Sequence, residues 1–133
     1  MTVIKSAAAE NAAILSDIMI RAWQSAFRGI LSDAVIAQFT VPEKCTAMFS
    51  HILTSGEGTM YLAEADGVPM GLLYWLPEEN SMRIEALLTV PEAWGQGVGA
   101  ALLEKAISDA VARKMRCAHV WPFAQNIRAR RFY

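Results

Sequence analysis

Residues 84–103 read Ile84-Glu85-Ala86-Leu87-Leu88-Thr89-Val90-Pro91-Glu92-Ala93-Trp94-Gly95-Gln96-Gly97-Val98-Gly99-Ala100-Ala101-Leu102-Leu103, two apolar runs joined through three alternating glycines. The first run, from residue 82 to 90, predicts a strand, and Pro91 closes it because proline has no N–H to give a ladder. The second, over residues 97–115, predicts a long helix with Val98, Leu102, Leu103, Ile107, Ala110 and Val111 on one face. Between them, Gly95, Gly97 and Gly99 let the backbone come close to a ligand, and the N–H groups of the helix's first turn have no partner within the helix. Such a terminus attracts negative charge with about 0.3–1 kcal/mol, up to ~2 when partly buried, so several converging amides hold a diphosphate without a lysine. A turn that merely packs helix against strand is the plainer alternative, but three alternating glycines exceed what it requires.

Two other nucleotide loops are excluded. A P-loop ends in Gly-Lys-Ser/Thr, whereas this segment offers Gly99-Ala100-Ala101, without the phosphate-binding lysine or the magnesium-binding hydroxyl. The dinucleotide pattern GxGxxA matches Gly95, Gly97 and Ala100. The acidic residue it needs about twenty positions on is absent around Cys117-Ala118-His119.

Outward from this segment the chain reads as alternating elements. Residues 59–64 and 70–76 are strands joined around Asp66-Gly67, a strong hairpin signal. Residues 117–121 predict a short buried strand, and residues 126–133 begin a last helix. Toward the N-terminus, residues 2–7 predict a strand and residues 8–27 a helix with Ile14, Ile18, Trp23 and Phe27 on its apolar face. Ser32-Asp33 caps a short helix ending at Phe39, and Pro42-Glu43 opens another reaching Leu53. The result is an α/β layer architecture in one domain spanning residues 1–133, with no repeat or linker.

Composition narrows the partners. A formal net charge of -1 gives no field for nucleic acid, and although 54% of residues are apolar, no run approaches the length of a membrane span. Cys45 and Cys117 lack metal or redox spacing, which points to a reducing, cytoplasmic setting. His51 and His119 have no neighbours at ligand spacing, so no metal is expected.

Residues 84–103 closely resemble the central strand, acyl-CoA loop and helix of the GNAT N-acetyltransferases, whose loop pattern is Q/R-x-x-G-x-G/A. Gly97 and Gly99 fall on its glycines, and Trp94 stands where the pattern has Arg or Gln. The segment Asn126-Ile127-Arg128-Ala129-Arg130-Arg131-Phe132-Tyr133 resembles the family's N-x-x-A-x-x-F/L-Y. Ala22-Trp23 and Phe27-Arg28-Gly29-Ile30 resemble its W-x-x-x-Y/F-x-G turn. The resemblance implies a GNAT-like acyl-CoA N-acyltransferase fold, a mixed central sheet flanked by helices, here lacking the usual last two strands. It further implies acetyl transfer from acetyl-CoA to a primary amine of a small molecule or peptide.

An amine of pKa ~10.4 gives up its proton at pH 7 only at a cost of roughly 4.6 kcal/mol, so a base is needed. The resemblance assigns that role to Glu85, which interrupts an apolar strand; an ion pair with Arg83 is the alternative reading. It assigns oxyanion donation to the main-chain N–H groups of Leu87 and Thr89, and protonation of the departing thiolate to Tyr133. Acetyl-CoA contacts are expected from Gly95, Gln96, Gly97, Val98, Gly99 and Ala100 and from Asn126, which alternatively caps the last helix. Trp23, Phe27, Tyr74 and Trp75 either line an acceptor pocket or fill the core. Because the chain ends before the family's last strands, a homodimer is expected, and a non-catalytic acyl-CoA-binding protein or a truncated GNAT-like protein stabilised by dimerisation is the rival reading.

Overall fold

The structure is a computed structural model that describes residues 1–120; Asn126, Tyr133 and the expected last helix lie outside the described residues. Strands β1 (Thr2–Ser6), β2 (Thr59–Ala65), β3 (Val68–Glu78), β4 (Ser81–Thr89) and β5 (Cys117–Val120) form one sheet in that spatial order. Pairing is antiparallel from β1 to β4, and β5 runs parallel to β4. The helices are α1 (Ala12–Ala26), α2 (Asp33–Phe39), α3 (Pro42–Ser55) and α4 (Val98–Ala112), the last crossing from β4 to β5. This is the mixed sheet flanked by helices that the sequence predicts.

Local chemistry sets the boundaries. Asp66 and Gly67, at φ 51° and 81°, make the two-residue turn between β2 and β3. Pro69 lies at the bulge where the β2–β3 register shifts, a place where a missing N–H is tolerated. The Ser32 hydroxyl accepts from the Val35 N–H at 3.2 Å and caps α2, Pro42 opens α3, and Gly56 ends α3 in the left-handed conformation.

Alternation along the strands then divides the core into two layers. Tyr61 and Trp75 turn to the face covered by α4, where both side chains donate to Asp109. On the same face Leu102 packs over Gly71, where a Cβ would stand 3.1 Å from the Leu102 Cδ1 and 3.0 Å from the Leu88 carbonyl oxygen. The opposite face carries α1 and α3, with Leu15, Ile18, Ala22 and Phe49 buried against the sheet. No helix among the described residues is long and apolar enough to cross a membrane.

Several expectations are corrected. On α4, Ile107 and Val111 are exposed, and Ala106 is buried with Val98, Leu102, Leu103 and Ala110, because the crossover helix buries a narrower stripe than its apolar positions outline. The helix stops at Ala112 rather than at residue 115, since Lys114 takes a left-handed φ of 57° and the Met115 N–H returns to the Ala110 carbonyl. On α1, Ile14 points outward, and Leu15 and Ala22 fill the core. The helix also begins later than residue 8, after a turn of 3-10 helix at Ala9–Asn11. In β5, expected to be buried, Cys117, Ala118 and His119 are exposed, the strand having a neighbour on one side only among the described residues.

Candidate active site

Two features of β4 build the site. The first is a bulge: Tyr74 pairs with Ala86 and Trp75 with Ile84, leaving Glu85 without an opposite residue on β3. An extra residue of this kind re-aims its side chain. Glu85 therefore opens onto the same cavity as its neighbour Ala86, which strict alternation forbids.

The second feature is an open edge. Among the described residues β5 pairs with β4 only from Ser81 to Ile84, so β4 beyond Ile84 has a strand on its β3 side alone. The Val90 N–H donates to the Met70 carbonyl at 3.0 Å, toward β3. Because N–H directions alternate along a strand, the Leu88 N–H also turns to β3, and those of Leu87 and Thr89 face the open edge.

That edge leads into the glycine turn. Pro91–Ala93 forms a single turn of 3-10 helix, after which Gly95 and Gly97 adopt φ of 81° and 80° and α4 begins. A Cβ at either glycine would meet nothing within 4 Å, so backbone conformation, and not crowding, favours glycine there. Gln96 folds the turn on itself: its side-chain amide donates to the Glu92 carbonyl at 2.6 Å and its N–H to the Ala93 carbonyl. The Glu92 carboxylate pairs with Arg21 of α1, which ties the turn to the helical layer. Val98 and Gly99 are buried and Ala100 is half-buried. The first intrahelical bond runs from Ala101 to Gly97 at 2.9 Å, and the N–H groups of Gly97, Val98, Gly99 and Ala100 have no acceptor among the described residues. Open space over left-handed glycines and free first-turn amides suit a diphosphate group.

The cavity beside Glu85 has a volume of about 400 Å³. Trp23 and Met19 of α1 and Met48, Phe49 and Ile52 of α3 roof it. Its floor is Met60, Tyr74, Leu76 and Leu88, with Glu57 at the end of the α3–β2 loop. Phe27 lies outside this lining and packs on the Trp23 ring at 4.8 Å, and Trp75 lies on the other face of the sheet. Burial pushes the Tyr74 phenol above its usual range, and the charges of Glu57 and Glu85 add to the effect. Arg83 reaches Glu85 at 2.6 Å and Glu78 at 3.1 Å, so the ion pair is formed while Glu85 still borders the cavity.

Sequence reasoning missed Glu57 and the methionines of the roof. Glu57 lies in a turn with no periodicity, and Met19 and Met48 are ordinary helix residues whose shared cavity arises only when α1 and α3 pack together. No group of three or more His, Cys, Asp and Glu is placed to hold a metal among the described residues.

A mixed sheet whose inner strand runs through a glycine turn into a covering helix is the fold of the acyl-CoA N-acyltransferases. Residues 18–133 match the model of the Acetyltransferase (GNAT) family, and the chain belongs to that family. It is 30% identical over 124 residues to an uncharacterised N-acetyltransferase of Archaeoglobus fulgidus, covering 88% of this chain and 82% of that protein. Its fold is similar to that of the PaiA N-acetyltransferase of Thermoplasma acidophilum, solved in complex with coenzyme A: TM-score 0.81 at 20% identity, covering 100% of this chain and 86% of that one. It also resembles a predicted acetyltransferase of Clostridium acetobutylicum solved with acetyl-CoA: TM-score 0.69 at 17% identity, covering 100% and 86%.

Proposed function

We propose that the chain is an acetyl-CoA-dependent N-acetyltransferase that modifies a primary amine by direct attack within a ternary complex. The observation that carries the reading is the alignment of three elements along β4: the bulged Glu85 at a cavity, the outward N–H groups of Leu87 and Thr89, and the free amides of Gly97, Val98, Gly99 and Ala100.

Acetyl-CoA supplies the activated acetyl thioester. The amides of the glycine turn and of the α4 N-terminus hold its diphosphate, and the open edge of β4 receives the amide-bearing arm by strand-like hydrogen bonds. The Leu87 and Thr89 N–H groups donate to the carbonyl oxygen that gains charge as the amine nitrogen bonds to the acetyl carbon. Glu85 takes the amine proton, directly or through water, while Arg83 fixes one of its oxygens. The carbon–sulfur bond breaks and Tyr133, by its resemblance to the family's phenol, returns a proton to sulfur. Asn126 belongs with the acetyl-CoA contacts on the same ground.

Both cysteines are free, which fits a reducing compartment and a cytoplasmic enzyme. Calorimetric titration with acetyl-CoA tests the reading, paired with a thiol-release assay on a panel of amines. Saturable binding with amine-dependent release of CoA is expected; no binding at hundreds of micromolar overturns it, and binding without release favours a non-catalytic acyl-CoA-binding protein.

A further inference from the structure

The cavity next to Glu85 has a chemistry of its own. We infer that it selects a cationic primary amine on an apolar body, carrying no anionic group; this deepens the acetyltransferase reading and rests on it.

Polarity fixes the body of the acceptor. Among the described residues the polar groups on the lining are Glu57, Tyr74, Glu85 and the indole of Trp23; the rest of the wall is carbon and methionine sulfur. Met19, Met48 and Met60 come to the lining from three elements, together with Trp23 and Phe49. Such walls adapt to a flat or branched apolar group and disfavour a body rich in hydroxyls.

Charge fixes the head group. Two carboxylates border the cavity, and among the described residues no basic side chain lines it. Arg83 is held by Glu78 and Glu85, and Glu57 forms no ion pair among the described residues, which leaves the mouth with surplus negative charge. A cationic amine is drawn to this mouth. An amine with a neighbouring carboxylate or phosphate is repelled and brings an anion that no lining group can pair. Free amino acids are excluded on this ground, and amino sugars by the apolar walls.

The experiment compares 2-phenylethylamine, phenylalanine, spermidine and the series butyl-, pentyl- and hexylamine, on the full chain with CoA or acetyl-CoA present. Two readouts are taken: amine binding by calorimetry with CoA, and CoA release from acetyl-CoA. Expected are a preference of at least a hundredfold for 2-phenylethylamine over phenylalanine and a gain of about fourfold for each methylene in the alkyl series. Ile52→Asp is expected to abolish the chain-length gain. Equal use of phenylalanine, a flat alkyl series, or a preference for spermidine overturns the inference. So does binding of acetyl-CoA with none of the apolar amines bound or turned over. If the apolar amines bind with this preference but acetyl-CoA does not, the cavity assignment holds and the transferase reading falls.

Discussion

Glu85 is the residue whose role depends most on a single irregularity, because without the bulge one of Glu85 and Ala86 would face α4. Glu85→Gln keeps the shape and removes the base, so kcat/KM is expected to fall by about 10²–10⁴, with acetyl-CoA affinity unchanged in calorimetry. An equal loss of acetyl-CoA affinity would instead point to a collapsed strand. Gly58 acts by closeness: a Cβ there would stand 2.5 Å from the Trp75 carbonyl oxygen and 2.8 Å from the Tyr74 ring. Gly58→Ala is therefore expected to destabilise the fold by about 1–3 kcal/mol in urea unfolding, and to disturb the Tyr74 wall of the cavity. The glycines at 95 and 97 were legible in sequence because their spacing is distinctive. Gly58 was not, since its need arises from Tyr74, Trp75 and Leu76 near the end of β3, sixteen or more residues further along the chain.

At the scale of elements, sequence reading located β1 to β4 and α1 to α4 to within a few residues at each end, because turn residues such as Asp66-Gly67, Ser32 and Pro42 act locally. It drew the buried stripe of α4 too wide, taking in Ile107 and Val111 and leaving out Ala106. Periodicity cannot tell Ala106 from Ile107 when the sheet beneath offers Gly71 as a socket for Leu102 one turn earlier. What orients α4 is a polar lock invisible to hydropathy: the Tyr61 hydroxyl and the Trp75 indole, 3.3 Å away, both donate to Asp109, with Lys105 and Arg113 over the two rings. Burial, the hydrogen bond to Asp109 and the carboxylate charge push the Tyr61 phenol up to about 12. The folded state thus keeps a proton that the unfolded chain releases near pH 10, so stability from this residue is complete below pH 10 and declines as pH rises toward 12. A shift of that size corresponds to about 2–3 kcal/mol at full effect. Tyr61→Phe is expected to be less stable at neutral pH and to show a shallower loss between pH 10 and 12, read by urea midpoints across that range.

On the scale of the whole molecule, one segment serves two tasks: Gly97 begins the helix that covers half the sheet and exposes the amides proposed to grip a diphosphate. The tasks separate experimentally because Asn and Asp both tolerate the left-handed backbone Gly97 adopts, and open space surrounds its missing Cβ. Acetyl-CoA at a hundredfold excess over its Kd adds about 2.7 kcal/mol to folding stability, a rise in Tm of about 10 °C for a domain of this size. Gly97→Asn is expected to keep most of that rise. Gly97→Asp has the same shape and, as an acidic residue beside a helix N-terminus, leaves the ligand-free Tm close to that of Gly97→Asn or slightly above it. It sets a carboxylate where the diphosphate belongs, so the ligand-induced rise is expected to vanish. Equal ligand-induced shifts in both variants would place the diphosphate elsewhere and detach the start of α4 from binding, leaving it a purely architectural turn.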